Sequence, residues 1–387
     1  MKKKLSDWGM IIKLWIKKKK AKKEKVITLH PHSAKRGNVL VSYITSPFIG
    51  HNAELSYNHS NQWECHKIVD LFLAAGYEVD IIDFNNSTFV PKKSYSYLFD
   101  IHNNLERLSP LINNNCIKIL HITGSHWLFQ NTAEYSRLLD IQQKRKTTLI
   151  PRRIALPSFG IEHCDFASII GNQYTKDTFN YSNKPIYNIP ISATKQFDFN
   201  HDKDFEKCKT TFLWFGGSGL VLKGLDLALE AFVEMPEYTL IVCGPINAEN
   251  DFTLLYENEL YNTPNIETKG WIDLSEKSFT EITDRCIGLI YPSFSEGSAG
   301  SVIQCLHFGL VPIISNQSGV NTADFGIKLK ENTVEEIKKA VHLIATTPAI
   351  ELKDKANKAW TYAREYHTRD NFEKEYRYFL ENIVHIL

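Results

Sequence analysis

A single carboxylate stands among small residues in the stretch YPSFSEGSAGSVIQC, residues 291–305. An apolar run ends just before this stretch and a helical pattern follows it, which predicts a turn between a buried strand and a helix. Free N–H groups at a helix N-terminus bind anions, and small residues let a ligand approach the backbone. Glu296 would repel phosphate but can accept hydrogen bonds from hydroxyl groups. These features predict a sugar-phosphate site, and its predicted ligand-binding residues in the turn are Gly297, Ser298, Gly300 and Ser301.

The elements that must position this turn alternate in type from residue 38 onward. Helices are predicted from Trp63 to about Gly76 and over 133–146. Buried strands are predicted at 38–45, 78–83, 117–124, 166–172 and 185–192. Short strands that alternate with helices indicate parallel pairing, and therefore a doubly wound sheet.

The same alternation restarts after a charged, aperiodic stretch at 194–209, which we interpret as a linker. Thr333 with Glu336, and Asp370 with Glu373, have the spacing of helix-capping pairs. The segments predicted here are strands at 210–216, 238–244, 287–293 and 311–315 and helices at 223–235, 251–261 and 275–285, followed by three helices up to Leu387. The sequence therefore predicts two α/β domains that face a cleft, where ligands bind beyond the carboxyl ends of parallel strands.

The segment 288–319 resembles the donor-binding motif of retaining glycosyltransferases with the GT-B fold, in the family often called group 1 (family four). Glu296 matches the first acid of the motif, which in the family contacts hydroxyl groups of the donor sugar. Gln304 stands where the family has a second acid that holds the nucleotide ribose, and an amide hydrogen-bonds a diol more weakly than a carboxylate. The tail of the motif is matched by Gly309, Pro312, Ser315 and Gly319.

A second resemblance covers FLWFGGSGLVLKGLDLALEAF, residues 212–232. It is similar to the family's strand, glycine loop and helix start, where a lysine neutralises the donor diphosphate, and Lys223 matches that lysine. The family usually has an arginine five residues earlier, but this sequence has Ser218, so one phosphate-binding cation is missing. The resemblance also implies donor contacts from Gly217 and Ser218, and from Gly244 at the end of the next strand.

The N-terminal half resembles the family less closely. Family members often have a histidine at a strand end close to the reacting sugar, which implies His126, with His121 as the second choice. The loop before the first helix ends in residues 59–61 (His, Ser, Asn), which either donate to the diphosphate or cap the helix. The arginines of PRRIALPS, residues 151–158, either face an anionic acceptor or cover the surface.

The composition is that of a soluble globular protein, with 43% hydrophobic and 23% charged residues in 387. Seven cysteines are scattered without a C-x-x-C pair, which disfavours a disulfide framework and a zinc site and favours a reducing, cytoplasmic compartment. The 14 histidines have no metal-binding spacing. We therefore expect no metal and no cofactor besides a nucleotide-diphospho-sugar substrate.

The net charge of +1 conceals a strongly basic N-terminus. Residues 1–25 carry eleven lysines against two acids, a sum of +9, so the remaining residues sum to −8. Apolar residues at 8, 11, 12 and 15 have helical spacing among these lysines. This pattern predicts an interfacial helix on an anionic membrane surface, with a disordered basic arm as the alternative. The acidic remainder argues against a nucleic-acid partner.

The resemblance implies a GT-B fold: two Rossmann-like domains that face a cleft, with a C-terminal helix crossing back. The predicted divisions are the basic segment 1–25, an acceptor domain 26–195, a donor domain 208–368 and the crossing helix 369–387. The implied activity is metal-independent transfer of a hexose, with retention, to a lipid-linked or membrane-associated glycan acceptor. A bacterial surface-polysaccharide or lipopolysaccharide pathway on the inner face of the plasma membrane would suit it. The alternatives are a nucleotide-sugar epimerase of the same fold and a non-catalytic GT-B partner protein.

Overall fold

The computed structural model describes residues 25–49, 59–274 and 276–386. The described residues form two α/β units, each built around a sheet in which nearly all strand pairs are parallel. Apart from Lys25, the basic segment 1–25 lies outside the described residues. The predicted membrane-binding helix therefore stays a prediction.

The first unit is a seven-stranded sheet in the order β1-β3-β2-β4-β5-β6-β7. Only its edge strand β1 runs antiparallel, against β3. The strands are β1 Ile27–Leu29, β2 Gly37–Tyr43, β3 Tyr77–Asp83, β4 Tyr97–Asp100, β5 Ile117–Ile122, β6 Phe166–Ile169 and β7 Ile186–Asn188. Its helices are α1 Asn61–Ala74, α2 Asn104–Leu108, α3 Trp127–Arg145, α4 Gly160–His163 and α5 Gln173–Asp177.

The second unit is a six-stranded, fully parallel sheet in the order β10-β9-β8-β11-β12-β13. The strands are β8 Thr211–Phe215, β9 Thr239–Cys243, β10 Ile266–Gly270, β11 Gly288–Tyr291, β12 Val311–Ser315 and β13 Ile327–Leu329. Its helices are α6 Phe205–Cys208, α7 Leu225–Val233, α8 Asn250–Leu255, α9 Glu257–Tyr261, α10 Lys277–Arg285, α11 Gly300–Leu306, α12 Val334–Thr346 and α13 Ala349–Tyr366. Buried apolar strands are covered by helices on both faces, as a doubly wound sheet requires.

The chain returns to the first unit at its C-terminus. Helix α14 (Arg369–Tyr378), continued by a π-helical turn at Phe379–Ile383, packs its aromatic residues into the core of the N-terminal sheet. Just before it, the carbonyl of His367 accepts a hydrogen bond of 3.1 Å from Ala193 N, beside the outgoing connection. Both crossings between the units therefore lie side by side. The predicted fold class, with two doubly wound sheets and a C-terminal helix that crosses back, is confirmed.

Helix α3 makes a second connection between the units. Although it belongs to the first unit by sequence, Ile141 is buried in the core of the second unit and Leu138 packs against it. Arg137 of α3 forms a buried ion pair with Asp226 of α7, and Arg145 pairs with Glu259 at 2.8 Å. The two walls of the cleft are thus braced on the side of α3.

The structure corrects the sequence predictions in two respects. Strands β1, β4, β10 and β13 were not predicted, because each is short, with three to five residues. The N-cap of α14 is Thr368, whose hydroxyl accepts from Asn371 N at 3.1 Å, and not Asp370. The predicted cap at Thr333 is confirmed, since its hydroxyl accepts from Glu336 N at 3.2 Å.

Candidate active site in the interdomain cleft

A largely buried ion pair lies at the cleft. Lys223 Nζ donates to Glu296 Oε1 and, at 3.1 Å, to the hydroxyl of Tyr291, which itself donates to Glu296 Oε1 at 2.9 Å. The side chains of Lys223 and Glu296 are only 9% and 11% exposed. The structure therefore brings the predicted lysine and the predicted acid into direct contact. All hydrogen bonds that Glu296 accepts on its carboxylate from described residues reach Oε1, so Oε2 has no donor within the part of the chain that the structure describes.

Local backbone geometry explains how a lysine before α7 reaches an acid after β11. Gly224 has a positive φ of 69°, and a Cβ there would lie 2.4 Å from the carbonyl oxygen of Pro292. Only glycine permits both the conformation and this close approach of the two loops. Since Tyr291 is the last residue of β11, the approach places Lys223 against its hydroxyl.

Both members of the pair are charged near neutral pH. Burial opposes the charged form of Lys223, but the adjacent carboxylate of Glu296 outweighs it and raises the pKa of the lysine. Burial likewise raises the pKa of Glu296, yet the charges of Lys223 and then Arg153 outweigh it, and the net pKa is below the ordinary value. Arg153 comes from the N-terminal unit, so both units contribute charge to this site.

The turn that carries the acid is clamped by the N-terminal unit. Ser125 Oγ donates to the carbonyl of Glu296 at 2.7 Å, and Thr175 Oγ1 donates to the carbonyl of Gly297 at 3.1 Å. A Cβ at Gly297 would lie 2.4 Å from the carbonyl oxygen of Thr123. Position 297 therefore requires glycine, because the two units approach each other closely there. The contact of Gly297 with Thr123 holds the neighbouring Glu296 at the cleft.

The glycine loop after β8 is partly filled by an acid from its own unit. The carboxylate of Glu249 accepts from Gly219 N at 2.5 Å and from Leu220 N at 3.3 Å. Burial raises the pKa of Glu249. The N–H groups of Gly219 and Leu220 are thus already used within the protein, whereas Gly217 and Ser218 are exposed, and a Cβ at Gly217 would meet nothing within 4 Å.

A cavity of about 350 Å³ opens beside the ion pair. Glu296 and Gly297 line it from the C-terminal unit, and the rest of the lining, including residues 122–127 and 152–156, comes from the N-terminal unit. A volume of this size accommodates a sugar ring with part of an acceptor. The lining comes from both units, which is the position predicted for a ligand in a doubly wound pair of domains.

His126 lies in the wall of this cavity, but both of its ring nitrogens have partners. Nδ1 accepts from Leu128 N at 3.3 Å, which caps α3, and Nε2 lies 3.2 Å from the hydroxyl of Tyr181. The Tyr181 hydroxyl donates to Glu162 at 2.6 Å, so this network assigns the proton of His126 to Nε2. Burial lowers the pKa of His126. The imidazole is therefore neutral, and it faces the cavity as part of a hydrogen-bond chain.

The second-choice histidine lies elsewhere. His121 is fully buried, its Nδ1 lies 2.9 Å from Ser168 Oγ, and burial lowers its pKa to about 3. Of the loop residues before α1, His59 accepts from Asn61 N at 3.2 Å and so occupies a capping position. Desolvation of its ring, and then the charges of Arg153 and Lys223, lower the pKa of His59, while part of the residue is exposed.

Gln304 is turned toward the connection between the units. Its Oε1 accepts from Thr194 Oγ1 at 2.9 Å and from Lys195 N at 3.4 Å, and its Nε2 donates to Lys195 O at 2.8 Å. The side chain is buried, so the amide holds the crossing chain in place. These bonds engage both polar atoms of the Gln304 amide on the crossing chain, and its contact with a ribose stays a prediction.

The remaining predicted donor-binding residues are divided between open and packed positions. Gly300 begins α11 and is exposed, and Ser301 is partly exposed in the first turn of the same helix. Ser298 is partly exposed on the far side of the turn, where it lines a different cavity from Glu296. A Cβ at Gly244 would lie 2.5 Å from the carbonyl of Gly216, so this glycine is needed for contact between neighbouring loops.

Sequence reasoning missed three contributors to the site. Tyr291 ends a buried strand and is indistinguishable from a core tyrosine in the sequence. Ser125 and Glu249 act through long-range contacts, the first with the turn 171 residues away and the second with a loop 30 residues before it. The sequence did draw attention to the two arginines at 152–153. Only the structure shows where their side chains lie.

No family model matches the sequence, and no curated protein matches it either. Solved structures do match the fold. Sucrose-phosphate synthase from Thermosynechococcus elongatus has a TM-score of 0.62 at 11% identity, covering 90% of this chain and 99% of its own. HepE of Anabaena, solved with UDP and glucose, has a TM-score of 0.56 at 10% identity, covering 89% of this chain and 99% of its own.

A third similar structure is a variant of S. aureus TarM, solved with fondaparinux, α-GlcNAc-glycerol and UDP. Its TM-score is 0.52 at 11% identity over 79% of this chain, which spans only 58% of the TarM chain. At such identities the similarity establishes the fold alone. The chain has the GT-B fold, and the ion pair of Lys223 and Glu296 lies in the cleft between its two units.

The described residues form neither a metal-binding cluster nor a membrane-spanning helix. No three His, Cys, Asp or Glu side chains in this part of the chain lie close enough together to hold a metal ion. No helix within it has both the length and the apolar character to span a bilayer. All seven cysteines are buried free thiols.

Proposed function

We propose that this chain is a glycosyltransferase that moves a hexose from a nucleotide-diphospho-sugar to a glycan acceptor, with retention at the anomeric carbon. The observation that supports the proposal is that the two oxygens of the Glu296 carboxylate differ in their hydrogen bonding. Oε1 is held by Lys223 and Tyr291, while Oε2 has no donor among the described residues and Glu296 lines the cavity. A fixed carboxylate with one open oxygen can orient sugar hydroxyls beside a cation that binds phosphate.

In this proposal Lys223 stabilises the negative charge that develops on the leaving nucleoside diphosphate. The ammonium group is pre-positioned by two hydrogen bonds and shielded from water, which strengthens its action on a nearby phosphate. No divalent ion is then required. UDP is the first nucleotide to test, because the TarM and HepE structures were both solved with UDP.

Retention would follow from attack on the face of the leaving group. The acceptor oxygen forms its bond to the anomeric carbon as the bond from that carbon to the diphosphate oxygen breaks. The acceptor proton passes to the departing diphosphate oxygen. His126 then acts as a wall of the sugar site, since its Nδ1 is occupied by Leu128 N.

We further propose that the acceptor is lipid-linked or membrane-associated, in a bacterial surface-polysaccharide or lipopolysaccharide pathway at the inner face of the plasma membrane. This part rests on the basic, amphipathic sequence of residues 1–25. Removing these residues should shift the protein from the membrane fraction to the soluble fraction. Unchanged fractionation would show that the segment is not an anchor.

The donor assignment is tested by thermal shift with UDP-, GDP-, ADP- and CMP-linked sugars, because a bound donor stabilises the folded state in proportion to its affinity. Donor consumption and the anomeric configuration of the product are then followed by NMR. Transfer to an acceptor with retained configuration supports the proposal. Formation of an epimer of the donor would identify a nucleotide-sugar epimerase instead.

A non-catalytic GT-B protein is the second candidate, and two contacts favour it. Gln304 is engaged by the crossing chain, and Glu249 occupies the N–H groups of the glycine loop. Both contacts reduce the number of groups free to hold a nucleotide. Absence of binding to every nucleotide sugar and nucleoside diphosphate in the panel would favour this candidate.

A further inference from the structure

The backbone of Arg153 is fixed by helix α3. Glu134, which is buried, accepts at Oε1 from Arg152 N at 2.6 Å and from Arg153 N at 3.1 Å. Gln130 Nε2 donates to the carbonyl of Arg153 at 2.7 Å. The segment therefore presents the two consecutive arginine side chains in defined directions.

The stem of the Arg153 side chain lies over the glycine loop of the other unit. A Cβ at Gly219 would lie 2.4 Å from Arg153 Cγ and 2.8 Å from Cδ, and Gly219 also has a positive φ of 89°. Any other residue at 219 would both strain the backbone and displace the arginine. The loop is thus shaped around Arg153 at the residue next to Ser218, the position where an arginine is missing.

The charge of Arg153 acts on both members of the ion pair. Its charge lowers the pKa of Glu296 and opposes the charged form of Lys223, and Arg153 also lines the cavity beside Glu296. Its Nε is buried and has no hydrogen-bond partner among the described residues. Arg152 differs, because its guanidinium pairs with Asp251 at 2.6 Å.

We propose that Arg153 supplies the second diphosphate-binding cation, in place of the arginine that is missing at Ser218. A buried N–H donor without an acceptor is costly, and a phosphate oxygen would satisfy it with a charge-assisted hydrogen bond. The donor diphosphate then lies between Lys223 of one unit and Arg153 of the other. The inference rests on the proposed function, because it assigns a contact to the same donor.

The test measures binding of UDP, GDP and ADP, and of the matching monophosphates, by calorimetry on the full chain. Arg153→Gln should weaken diphosphate binding by roughly ten- to a hundredfold and change monophosphate binding less, since the lost contact is charge-assisted. Arg153→Lys should lie between this variant and wild type. The matched control, Arg377→Gln, removes the same charge from helix α14, where the guanidinium pairs with Glu373 at 3.1 Å, and should leave both affinities within about twofold of wild type.

Placing an arginine at a second position tests whether Arg153→Gln loses affinity through a missing contact or through faulty folding. Ser218 is exposed at the tip of the loop, so Ser218→Arg in the Arg153→Gln background has room and should restore much of the diphosphate affinity. If wild type binds a diphosphate and Arg153→Gln binds it equally well, the inference is wrong and the proposed function stands. An effect on the acceptor KM with unchanged diphosphate affinity also overturns it, by assigning Arg153 to the acceptor. Failure of wild type to bind any diphosphate overturns both.

Discussion

Lys223 and Glu296 are in direct contact although 73 residues separate them in the chain. Each side chain fixes the other, and Tyr291 bonds to both. The phosphate-binding candidate is therefore neutralised before any ligand arrives, and a donor must share the ammonium group with the carboxylate. The stability of the fold and the proposed activity then both depend on this pair. Replacing both residues together distinguishes the effect on stability from the effect on activity.

Replacing one member of the pair should destabilise the protein and abolish activity. Lys223→Met leaves Glu296, and Glu296→Gln leaves Lys223, as a buried charge without its partner, at a cost of about 3–5 kcal/mol in the free energy of unfolding. The double variant Lys223→Met/Glu296→Gln buries no charge, so we expect most of the stability to return while activity stays absent. Urea unfolding and donor-consumption assays measure the two effects.

An exposed ion pair provides the control. Lys277 and Glu281 lie 3.3 Å apart with side chains 89% and 64% exposed, so Lys277→Gln should change the unfolding free energy by less than about 0.5 kcal/mol. A double variant as unstable as the single ones would mean that the buried charges are not the source of the loss. Donor turnover at the wild-type rate in Lys223→Met, in Glu296→Gln or in the double variant would show that Lys223 and Glu296 are not part of the active site.

Restoring the acid of the family motif at Gln304 should harm the protein. In Gln304→Glu the carboxylate replaces the amide that donates to Lys195 O and sets a negative charge against that carbonyl in a buried position. We expect a loss of about 1–3 kcal/mol of unfolding free energy and no gain in nucleotide affinity. Calorimetric titration and urea unfolding test both. Tighter nucleotide binding would instead show that position 304 reaches the ribose.

The parts of the site that lie within one motif were accessible from sequence. Glu296 could be selected because it follows a buried strand in a small-residue turn, and Lys223 because its segment resembles the family's glycine loop and helix start. Parallel strands bring such turns to the same edge. Their direct contact could not be predicted, since it depends on Gly224 approaching Pro292 across the sheet. The doubly wound fold followed from the alternation of apolar runs with amphipathic segments.

The site contacts that cross between the two units could not be predicted from the sequence. Whether Arg153 faces solvent or the cleft depends on Glu134, a buried acid on a helix whose register the sequence left open. Gln304 fits the ribose position by motif, yet its partners are set by the path of the linker after Ala193. Short strands such as β4 carry too little periodicity to be recognised.

The ion pair between Arg137 and Asp226 should brace the two units against each other. Asp226 is 1% exposed, and Arg137 also pairs with Asp140 at 2.9 Å and lies over the ring of Phe294. Removing the arginine in Arg137→Met leaves the Asp226 carboxylate buried, and we expect a loss of about 3–5 kcal/mol of unfolding free energy. Hydrogen exchange should show α3 and α7 becoming less protected together. Loss of protection in α3 alone would contradict a bracing role.

Glu64 should make stability depend on pH. It lies buried in the first turn of α1, and its Oε1 accepts from both Ser192 N and Ser192 Oγ at 2.9 Å, next to the chain crossing. Burial raises its pKa from 4.5 to about 7, against the weaker opposing effects of these bonds and of Arg369. In the unfolded chain the group ionises near its ordinary pKa, so the folded state binds the extra proton between these two values.

Because the folded state holds that proton more tightly, stability should fall as pH rises from about 4.5 to 7 and stay level with respect to this group above 7. The shift corresponds to a loss of about 3 kcal/mol. Glu64→Gln keeps an oxygen that can accept both bonds from Ser192 but cannot ionise. The difference in unfolding free energy between wild type and Glu64→Gln, measured in urea at pH 5 and pH 7.5, isolates the contribution of Glu64 from those of other titrating groups. Most of that effect falls between these two pH values, so the difference should shift by about 2.4 kcal/mol in favour of the variant at the higher pH. An equal difference at both values would mean that Glu64 is ionised in the folded protein throughout.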